Sequence, residues 1–195
     1  MTQIVFASHN KGKVHEIAHL LRLEDIQLLT LDDVQLAKLE VEETGHTYDE
    51  NAWLKAKTIG DMTKHITLAD DSGLEVETLG WKPGVYSARY AKGSDKDRCI
   101  KLLKELEGKE NRNARFVAVI ALYDPTQNVK KLFRGEVSGI IATELRGDNG
   151  FGYDPVFVPT GHHQSMAELG STVKNEISHR ARAVEKLREW WESER

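Results

Sequence analysis

The stretch LADDSGLEVE, residues 68–77, places two adjacent aspartates at the end of an apolar run. Residues 66–70, ITLAD, predict a buried strand, and Ser72 with Gly73 predict a turn directly after the aspartates. An ionised carboxylate is costly to bury unless a cation or hydrogen-bond donors compensate it. Asp70 and Asp71 are therefore solvated, neutralised by the protein, or placed to bind a metal ion.

The two aspartates are expected to have different surroundings. Neighbouring side chains of an extended chain point to opposite sides, so that one carboxylate can face a metal while the other holds the chain in place. The residue types do not say which of Asp70 and Asp71 has which task. An ordinary Asp-Ser-Gly turn explains the same pattern equally well.

The composition is that of a soluble protein of one domain, residues 1–195. Hydrophobic residues make up 39% of the 195 and charged residues 30%. The net charge of -4 argues against a partner nucleic acid, because phosphate neutralisation needs an excess of Lys and Arg. The single cysteine, Cys99, cannot form an internal disulfide and is expected to pack in the interior, which fits the cytoplasm. No apolar run approaches the ~18 residues of a membrane span, and neither a membrane partner nor secretion is expected.

The hydrophobic periodicity predicts an α/β protein. Strands are predicted at 3–7, 26–31, 66–70, 74–79, 114–124 and 130–142. Helices are predicted after Asn10, over 47–62, over 95–106 and over 178–191, with Asn10, Thr47 and Ser178 as caps. Because helices and strands alternate early and two paired strands come late, we expect a mixed central sheet with flanking helices. The less apolar strand at 130–142 is expected to be an edge or an exposed strand.

A first candidate binding site is the loop SHNKGK, residues 8–13. A strand leads into a polar loop and then a helix, whose unpaired amides and dipole suit a phosphate, and Lys11 and Lys13 add positive charge. The loop lacks the P-loop pattern. An ordinary helix cap with two solvated lysines remains the alternative.

Further along, Glu42 and Glu43 stand in an acidic loop, and a carboxylate there is a credible ligand for Mg²⁺. Lys55, on the following predicted helix, lies beside the apolar stripe and could reach a ligand. The alternatives are a solvated acidic loop and a solvated lysine.

Two late segments suit a flat anionic ligand. Glycines surround Phe151 in GDNGFGYDPVFVP, residues 147–159, which suits backbone contact and stacking on a base, although a tight loop with core aromatics is an equal alternative. Lys174, His179 and Arg180 lie around the predicted start of the last helix, where positive charge opposes the helix dipole and suggests a bound anion. Together with the earlier loops, these are the parts needed to hold a Mg²⁺-bound nucleotide.

Six motifs in this order resemble the inosine triphosphate pyrophosphatase family, also called dITP/XTP diphosphatases. They are SHNKGK, EETGHTYDENAWLKA, ADDSGLEV, PGVYSARYA, GFGYDPVF and ISHRARA. The resemblance implies two lobes around a deep substrate cleft, and usually a homodimer. It also implies Mg²⁺-dependent hydrolysis of ITP, dITP and XTP to the monophosphate and pyrophosphate.

The resemblance also implies roles for individual residues. Glu43 and Asp71 would bind the metal, and Asp71 would orient or deprotonate the attacking water while Asp70 supports the chain behind it. Contacts to the substrate are implied for Ser8, His9 (where glycine is common in the family), Asn10, Lys11, Gly12, Lys13, Lys55, Ser72, Phe151, Gly152, Tyr153, Asp154, Lys174, His179 and Arg180.

Three alternatives to this interpretation remain, the first from the same class of enzyme and the other two from different classes. One is a pyrophosphatase with another nucleotide as its main substrate. A second is a nucleotide-binding regulator without catalysis, against which the presence of both Glu43 and Asp71 argues. A third is a nucleic-acid-binding protein, against which the negative net charge argues.

Overall fold

The computed structural model describes residues 1–194. The strands are β1 (Thr2–Phe6), β2 (Ile26–Leu29), β3 (Ile66–Val76), β4 (Lys82–Pro83), β5 (Asn113–Asp124), β6 (Val129–Ile141) and β7 (Phe157–Pro159). The α-helices are α1 (Lys11–Leu20), α2 (Tyr48–Thr63), α3 (Asp95–Glu105), α4 (Met166–Ile177) and α5 (His179–Ser193). Short 3-10 segments span Glu77–Leu79, Gly84–Arg89 and Asp154–Val156.

The strands form a mixed sheet, which confirms the predicted fold class. Their order is β2-β1-β3-β5-β6-β7, with β4 paired to β3 outside this path. β1 runs parallel to β2 and β3, whereas β4 pairs antiparallel with β3 and β7 pairs antiparallel with β6. Across residues 1–194, no helix is both long enough and apolar enough to cross a membrane.

The chain divides into two compact units, each with its own core. Among the described residues, unit 1 comprises 1–71, 118–135 and 182–194, and unit 2 comprises 72–117 and 136–181. The core of unit 1 contains Ile4, Phe6, Ile17, Leu21, Leu68, Ile120, Leu122, Phe133, Ala183, Val184 and Leu187. The core of unit 2 contains Leu74, Val76, Cys99, Leu102, Leu106, Ala114, Phe116, Val137, Ile141, Tyr153, Val156, Phe157 and Met166. Cys99 is fully buried there, as predicted.

The caps predicted from the sequence are present. The Asn10 side chain accepts from the Lys13 N–H at 3.1 Å, and Thr47 and Glu50 form a reciprocal capping box at the start of α2. The Ser178 hydroxyl accepts from the Ala181 N–H at 3.1 Å in the first turn of α5. Each bond satisfies a backbone donor that the helix itself leaves unpaired.

The predicted turn at Ser72 and Gly73 is wrong. β3 continues from Ile66 through both aspartates to Val76, and a 3-10 segment replaces the end of the strand predicted over 74–79. The reason is burial. Leu74 and Val76 are fully buried in unit 2, and the extended chain is what places both side chains there. The aspartates therefore lie within a strand rather than before a turn.

β6 shows the alternation of a strand with one exposed face. Its residues alternate between buried positions, such as Phe133 and Val137, and more accessible ones. β6 lies between β5 and β7 in the sheet order, so the edge alternative is wrong, and β7 pairs with Gly139–Ile141 at the end of β6. The less apolar composition of β6 thus reflects its exposed face.

Candidate active site

The predicted site residues fall into two groups, one within each unit. Unit 1 holds the loop 8–13 with Glu43, Lys55, Asp70 and Asp71. Unit 2 holds Ser72, Phe151, Gly152, Tyr153, Asp154, Lys174, His179 and Arg180. Each group is described in turn.

The two aspartates of β3 have different partners, as the alternation of an extended chain predicts. The Asp70 side chain is fully buried, and its Oδ1 lies 2.9 Å from Nζ of Lys13 on α1. Asp71 is also buried, and its Oδ2 accepts from the Asn51 side chain at 3.2 Å. The protein thus pairs Asp70 with a cation and holds Asp71 from helix α2.

Lys55 connects Asp71 with the acidic loop before α2. Its Nζ lies 2.5 Å from Oε1 of Glu43 and 3.8 Å from Oδ1 of Asp71. The two carboxylates that the sequence resemblance links to a metal therefore share one positive group. Lys55 is part of the site rather than a solvated surface lysine, because its side chain is only 13% exposed.

Burial raises the pKa of Asp71 to about 6, although Lys55 and Lys13 act in the opposite direction. Glu43 and Asp70 add to the increase by repulsion between like charges. Burial lowers the pKa of Lys55, but the charges of Asp71, Asp70 and Glu43 outweigh it and raise that pKa above its ordinary value. Lys55 therefore stays cationic while Asp71 titrates close to neutrality.

The raised pKa of Asp71 gives a testable effect on stability. A carboxyl whose folded pKa lies above its unfolded value of 3.8 destabilises the fold once it ionises, so this cost is absent below pH 3.8 and complete above about 6. We expect Asp71→Asn to raise the free energy of unfolding in EDTA at pH 8 by about 2–3 kcal/mol. The advantage should shrink as the pH falls from 6 towards 4, as measured by urea denaturation of both proteins.

The matched variant for this comparison is Asp61→Asn, which removes a more exposed carboxylate from α2. It lies in an exposed pair with Lys57, so its effect should be small and need not follow the titration of Asp71. Equal stability of Asp71→Asn and the wild type at pH 8 would contradict the cost assigned to the buried carboxylate.

The carboxylates of unit 1 suit a single Mg²⁺ ion. No group of three or more His, Cys, Asp or Glu side chains within residues 1–194 is arranged to hold a metal. Mg²⁺ does not need one, since it commonly binds to one or two carboxylates together with water and substrate phosphates. Glu43 and Asp71 supply two, and Lys55 Nζ already bridges them as a cation. The donor set therefore fits.

The charges also favour a divalent ion together with a polyphosphate. Lys13 and Lys55 face the three carboxylates Glu43, Asp70 and Asp71, which leaves one net negative charge. Such a cluster would repel phosphate, whereas one bound divalent cation reverses the sign. The cluster would accept a polyphosphate once this metal is present.

The loop 8–13 has the geometry expected of a phosphate site. The Asn10 N–H donates to the Ser8 hydroxyl at 3.2 Å, and the Asn10 side chain caps α1. Lys11 and Gly12 open this helix, so the positive end of the helix dipole lies at the loop. His9 is tied back through its Nε2, which lies 2.6 Å from the Leu39 carbonyl oxygen. A pocket of about 480 Å³ lies beside the loop, and its lining includes Ser8, His9 and Lys11.

In unit 2, a buried ion pair lies under Phe151. Lys174 Nζ lies 2.6 Å from Asp154 Oδ2, and the same oxygen accepts from the Phe151 N–H at 2.9 Å. Lys174 Nζ also lies 4.5 Å from the centre of the Phe151 ring. Gly150 has a positive φ of 79°, and a Cβ there would lie 2.1 Å from Asp154 Oδ2, so this position requires glycine. The loop is therefore built around the carboxylate of Asp154.

Arg180 and His179 complete this group. Arg180, although 1% exposed, donates from Nη2 to the Ser72 hydroxyl at 3.0 Å, and its guanidinium lies 5.6 Å from the centre of the Phe151 ring. The His179 ring stacks on Phe116 with centroids 4.8 Å apart and an angle of 14° between the planes. The plane of the His179 ring is thus fixed by Phe116, and Arg180 is anchored through its bond to Ser72.

Two details of the sequence prediction change here. Lys174 lies in the last turn of α4, a helix that the sequence analysis missed, so its charge agrees with the dipole of α4 rather than opposing that of α5. The Tyr153 ring packs in the core of unit 2 with its hydroxyl donated to the Ser87 carbonyl at 2.9 Å. The core alternative is therefore correct for Tyr153, while Phe151 is only half-buried.

Sequence reasoning also missed two residues that hold the site. Asn51, one turn before Lys55 on α2, bonds to Asp71. Asp95, at the start of α3, accepts the Gly152 N–H at 2.6 Å, while the Cys99 thiol one turn later donates to the Gly152 carbonyl at 3.3 Å. The i, i+4 spacing of Asn51 and Lys55 was the available signal, since it puts both on one helix face.

A model of the Ham1 family matches residues 4–190. This chain belongs to the Ham1 family. A relative from Bacillus licheniformis, named dITP/XTP pyrophosphatase, is 50% identical over 194 residues, with 96% of each chain covered. A second, from Bacillus subtilis and with the same name, is 44% identical over 192 residues, also with 96% of each chain covered. The solved Ham1 structure from Staphylococcus aureus has a TM-score of 0.90, with 40% identity and 100% of both chains covered.

These matches confirm the family that the six motifs predicted. The Ham1 match covers nearly the same part of the chain as the motifs, and the TM-score extends the likeness to the fold. The individual roles of Glu43, Asp71 and the residues of unit 2 remain predictions, now with the contacts described above.

Proposed function

We propose that this Ham1 family protein hydrolyses the non-standard purine nucleoside triphosphates ITP, dITP and XTP to the monophosphate and pyrophosphate. The observation that carries the proposal is the cluster in which Lys55 bridges Glu43 and Asp71, with the pKa of Asp71 near neutrality. A buried carboxylate with such a pKa suits a general base, whereas a carboxylate in a structural ion pair is more stable with a low pKa.

In the proposed reaction, Asp71 accepts the proton of the attacking water. The water oxygen forms a bond to the α-phosphorus, and the bond from that phosphorus to the oxygen bridging the β-phosphorus breaks, so that pyrophosphate leaves with the bonding electrons. A base with a pKa of about 6 is largely ionised at pH 7 to 8 and still takes up a proton readily. Phosphoryl transfer otherwise depends on position and charge neutralisation.

The loop 8–13 would hold the phosphates. The amides at the start of α1, the Ser8 hydroxyl and the charge of Lys11 suit this role. Lys13, in the first turn of α1, would contact the phosphates and also pair with Asp70. Glu43 and Asp71 would hold Mg²⁺, which when bound would neutralise charge on the triphosphate.

We propose that unit 2 reads the base. ITP and XTP carry a carbonyl at position 6 of the purine, whereas ATP carries an amine. A rigid donor aimed at that position donates to the carbonyl oxygen, whereas the amine of ATP leaves this donor unpaired, which is the stronger form of discrimination. Arg180 and His179 would be such donors, and Phe151 would offer a partly accessible ring for stacking.

The experiment that tests this function measures pyrophosphate release from ITP, dITP, XTP, GTP and ATP, each with Mg²⁺ and with EDTA. We expect release from the first three that depends on Mg²⁺ and exceeds that from ATP. Release of inorganic phosphate instead of pyrophosphate, or equal turnover of ATP, would contradict the proposal. Equal rates of pyrophosphate release with Mg²⁺ and with EDTA would contradict only the proposed metal dependence.

We further propose that the protein acts as a cytoplasmic homodimer, as the family resemblance implies. One cysteine and the absence of an apolar span in residues 1–194 are compatible with that location. Sedimentation equilibrium would report twice the chain mass of 22.0 kDa for a dimer. A mass of a single chain at micromolar concentration would contradict it.

Glu43→Gln is expected to raise the Mg²⁺ concentration that gives half-maximal activity by at least about tenfold. The amide keeps the size of the side chain but removes the negative charge that attracts the cation and pairs with Lys55. The measurement is a Mg²⁺ titration of pyrophosphate release at saturating ITP. The neighbouring Glu42→Gln is the matched control, because Glu42 is an exposed carboxylate of the same loop. If both variants respond to Mg²⁺ as the wild type does, Glu43 is not a ligand.

A further inference from the structure

Asn51 lies between the loop that carries Glu43 and the carboxylate of Asp71. It is fully buried on α2, one turn before Lys55. Its Oδ1 accepts from the Gly45 N–H at 2.8 Å, and its Nδ2 donates to Asp71 Oδ2 at 3.2 Å. Gly45 follows Glu43 by two residues, so one amide group bonds both the loop that carries Glu43 and the carboxylate of Asp71.

The two bonds fix the orientation of this amide. The Gly45 N–H can only donate, and an ionised Asp71 can only accept, so one neighbour needs an acceptor and the other a donor. A carboxamide supplies both at once, whereas a carboxylate or an aliphatic side chain of similar size supplies at most one. Full burial makes the arrangement strict, since water does not replace a lost partner cheaply.

Gly45 is fitted closely to the same amide. A Cβ at this position would lie 2.6 Å from Asn51 Oδ1 and 2.7 Å from the Cβ of Glu50. A side chain there would force the loop away from α2 or displace the amide of Asn51. The loop therefore approaches Asn51 as closely as its backbone allows.

The bond from Asn51 also distinguishes the two oxygens of Asp71. Oδ2 accepts from Asn51, while Oδ1 is the oxygen recorded 3.8 Å from Lys55 Nζ. With Oδ2 held by a neutral donor, Oδ1 is left facing the cationic side of the cluster. This assigns different tasks to the two oxygens of one carboxylate.

We propose that Asn51 is a positioning residue that fixes the loop of Glu43 relative to Asp71 and directs Asp71 Oδ1 towards the reacting groups. The proposal deepens the proposed function and rests on it for its kinetic part. Its structural part, the bond between Asn51 and Asp71, is tested without substrate or metal. A failure of the one can therefore be told from a failure of the other.

The structural test is an exchange of the two side chains. Asn51→Asp keeps an acceptor for Gly45 but turns a carboxylate towards Asp71, so we expect the Tm in EDTA at pH 8 to fall by about 3 °C or more. Adding Asp71→Asn restores a donor and an acceptor with the direction of the bond reversed. The double variant should regain Tm relative to Asn51→Asp by more than Asp71→Asn alone adds to the wild type. Strict additivity of the two changes would overturn the proposal.

The kinetic test separates positioning from substrate binding. Asn51→Asp is expected to lower kcat for ITP by about 5- to 150-fold, the range for one lost buried donor. KM for ITP should stay within about twofold, because Asn51 contacts Asp71 rather than a substrate group. A kcat within twofold of the wild type, or a loss confined to KM, would overturn the proposal.

Two further variants keep these tests decisive. Asn113→Asp is the matched control, since Asn113 Nδ2 donates to Glu77 Oε2 at 2.9 Å in an exposed pair in unit 2, and it should leave kcat unchanged. If Asn51→Asp does not fold on its own, Gly45→Ala takes its place, because it displaces the same amide from a loop position that is not fully buried. Gly45→Ala should then lower kcat and raise the Mg²⁺ requirement together, and wild-type values for both would overturn the proposal.

Discussion

Asp71→Asn is expected to lower kcat for ITP by about 100-fold or more, the range for a lost general base. The amide keeps the shape of the side chain and can still accept from Asn51, but it cannot take a proton from water. The same change is expected to stabilise the metal-free protein, so unfolding cannot be the cause of the loss. The measurement is pyrophosphate release under saturating Mg²⁺, together with a thermal melt of the same sample.

Asp70→Asn is the informative comparison, because it removes the same charge from the adjacent position of β3. Asp70 pairs with Lys13, and its side chain is fully buried on that side of the strand. We expect a smaller loss of kcat and a lower Tm, since Lys13 would lose its buried partner. A kcat for Asp71→Asn close to that of the wild type would remove Asp71 from the role of base, whatever Asp70→Asn does.

The opposite signs expected for activity and stability have a common origin. Burial and the neighbouring carboxylates raise the pKa of Asp71, which makes its charged form costly to the fold and also makes it a useful base near neutrality. Asp70 forms an ion pair with Lys13, and we do not propose it as a base. Adjacent residues on one strand thus have different partners, and we propose that Asp71 has the chemical task and Asp70 the structural one.

Local signals predicted much of the fold. The caps of α1 and α2 could be predicted because each depends on two residues three positions apart in the sequence. These are Asn10 with Lys13 and Thr47 with Glu50. The turn at Ser72 and Gly73 was predicted wrongly because the local preference of Ser-Gly is weaker than the burial of Leu74 and Val76. That burial depends on contacts with distant parts of the chain, which periodicity does not reveal.

Helix α4 was missed although its start carries a local signal. Ser165 and Glu168 form a capping box in the structure, and their spacing can be seen in the sequence. Gly170, with a positive φ of 75°, interrupts the helix after one turn and breaks the apolar pattern that would have supported the prediction. The consequence was that Lys174 was placed against a helix start instead of at a helix end.

The candidate site shows the same division between local and distant information. The residue types at Glu43, Lys55 and Asp71 suggested a metal and a phosphate, but not that one lysine bridges both carboxylates. The partner of a buried polar group is set by the packing of separate elements, in this case α2 against β3. For that reason Asn51, whose side chain bonds to both Gly45 and Asp71, had no clear sign in the sequence beyond its spacing from Lys55.

Arg180→Ala is expected to reduce kcat/KM for ITP and XTP by about 5- to 150-fold, the range for a buried donor, and to reduce it much less for ATP. Arg180 is 1% exposed, and its guanidinium donates to the Ser72 hydroxyl and lies 5.6 Å from the centre of the Phe151 ring, so the direction of this group is defined. Donors held in this way favour the 6-carbonyl and gain nothing from the 6-amine of ATP. The kcat/KM values for ITP and for ATP should therefore become more similar, and His179→Ala should act in the same direction.

Burial of Arg180 makes a second variant necessary. Arg180→Lys keeps a cation near Phe151 but loses the planar fork, so the fold should survive while selectivity between ITP and ATP still falls. Arg182→Ala is the matched control, because it removes an exposed arginine two positions further along α5 and should leave the ratio unchanged. If kcat/KM for ITP and ATP falls by the same factor in both Arg180 variants, Arg180 binds phosphate or supports the fold. Base selection would then belong to the loop from Phe151 to Asp154, whose backbone is held in place by the carboxylate of Asp154.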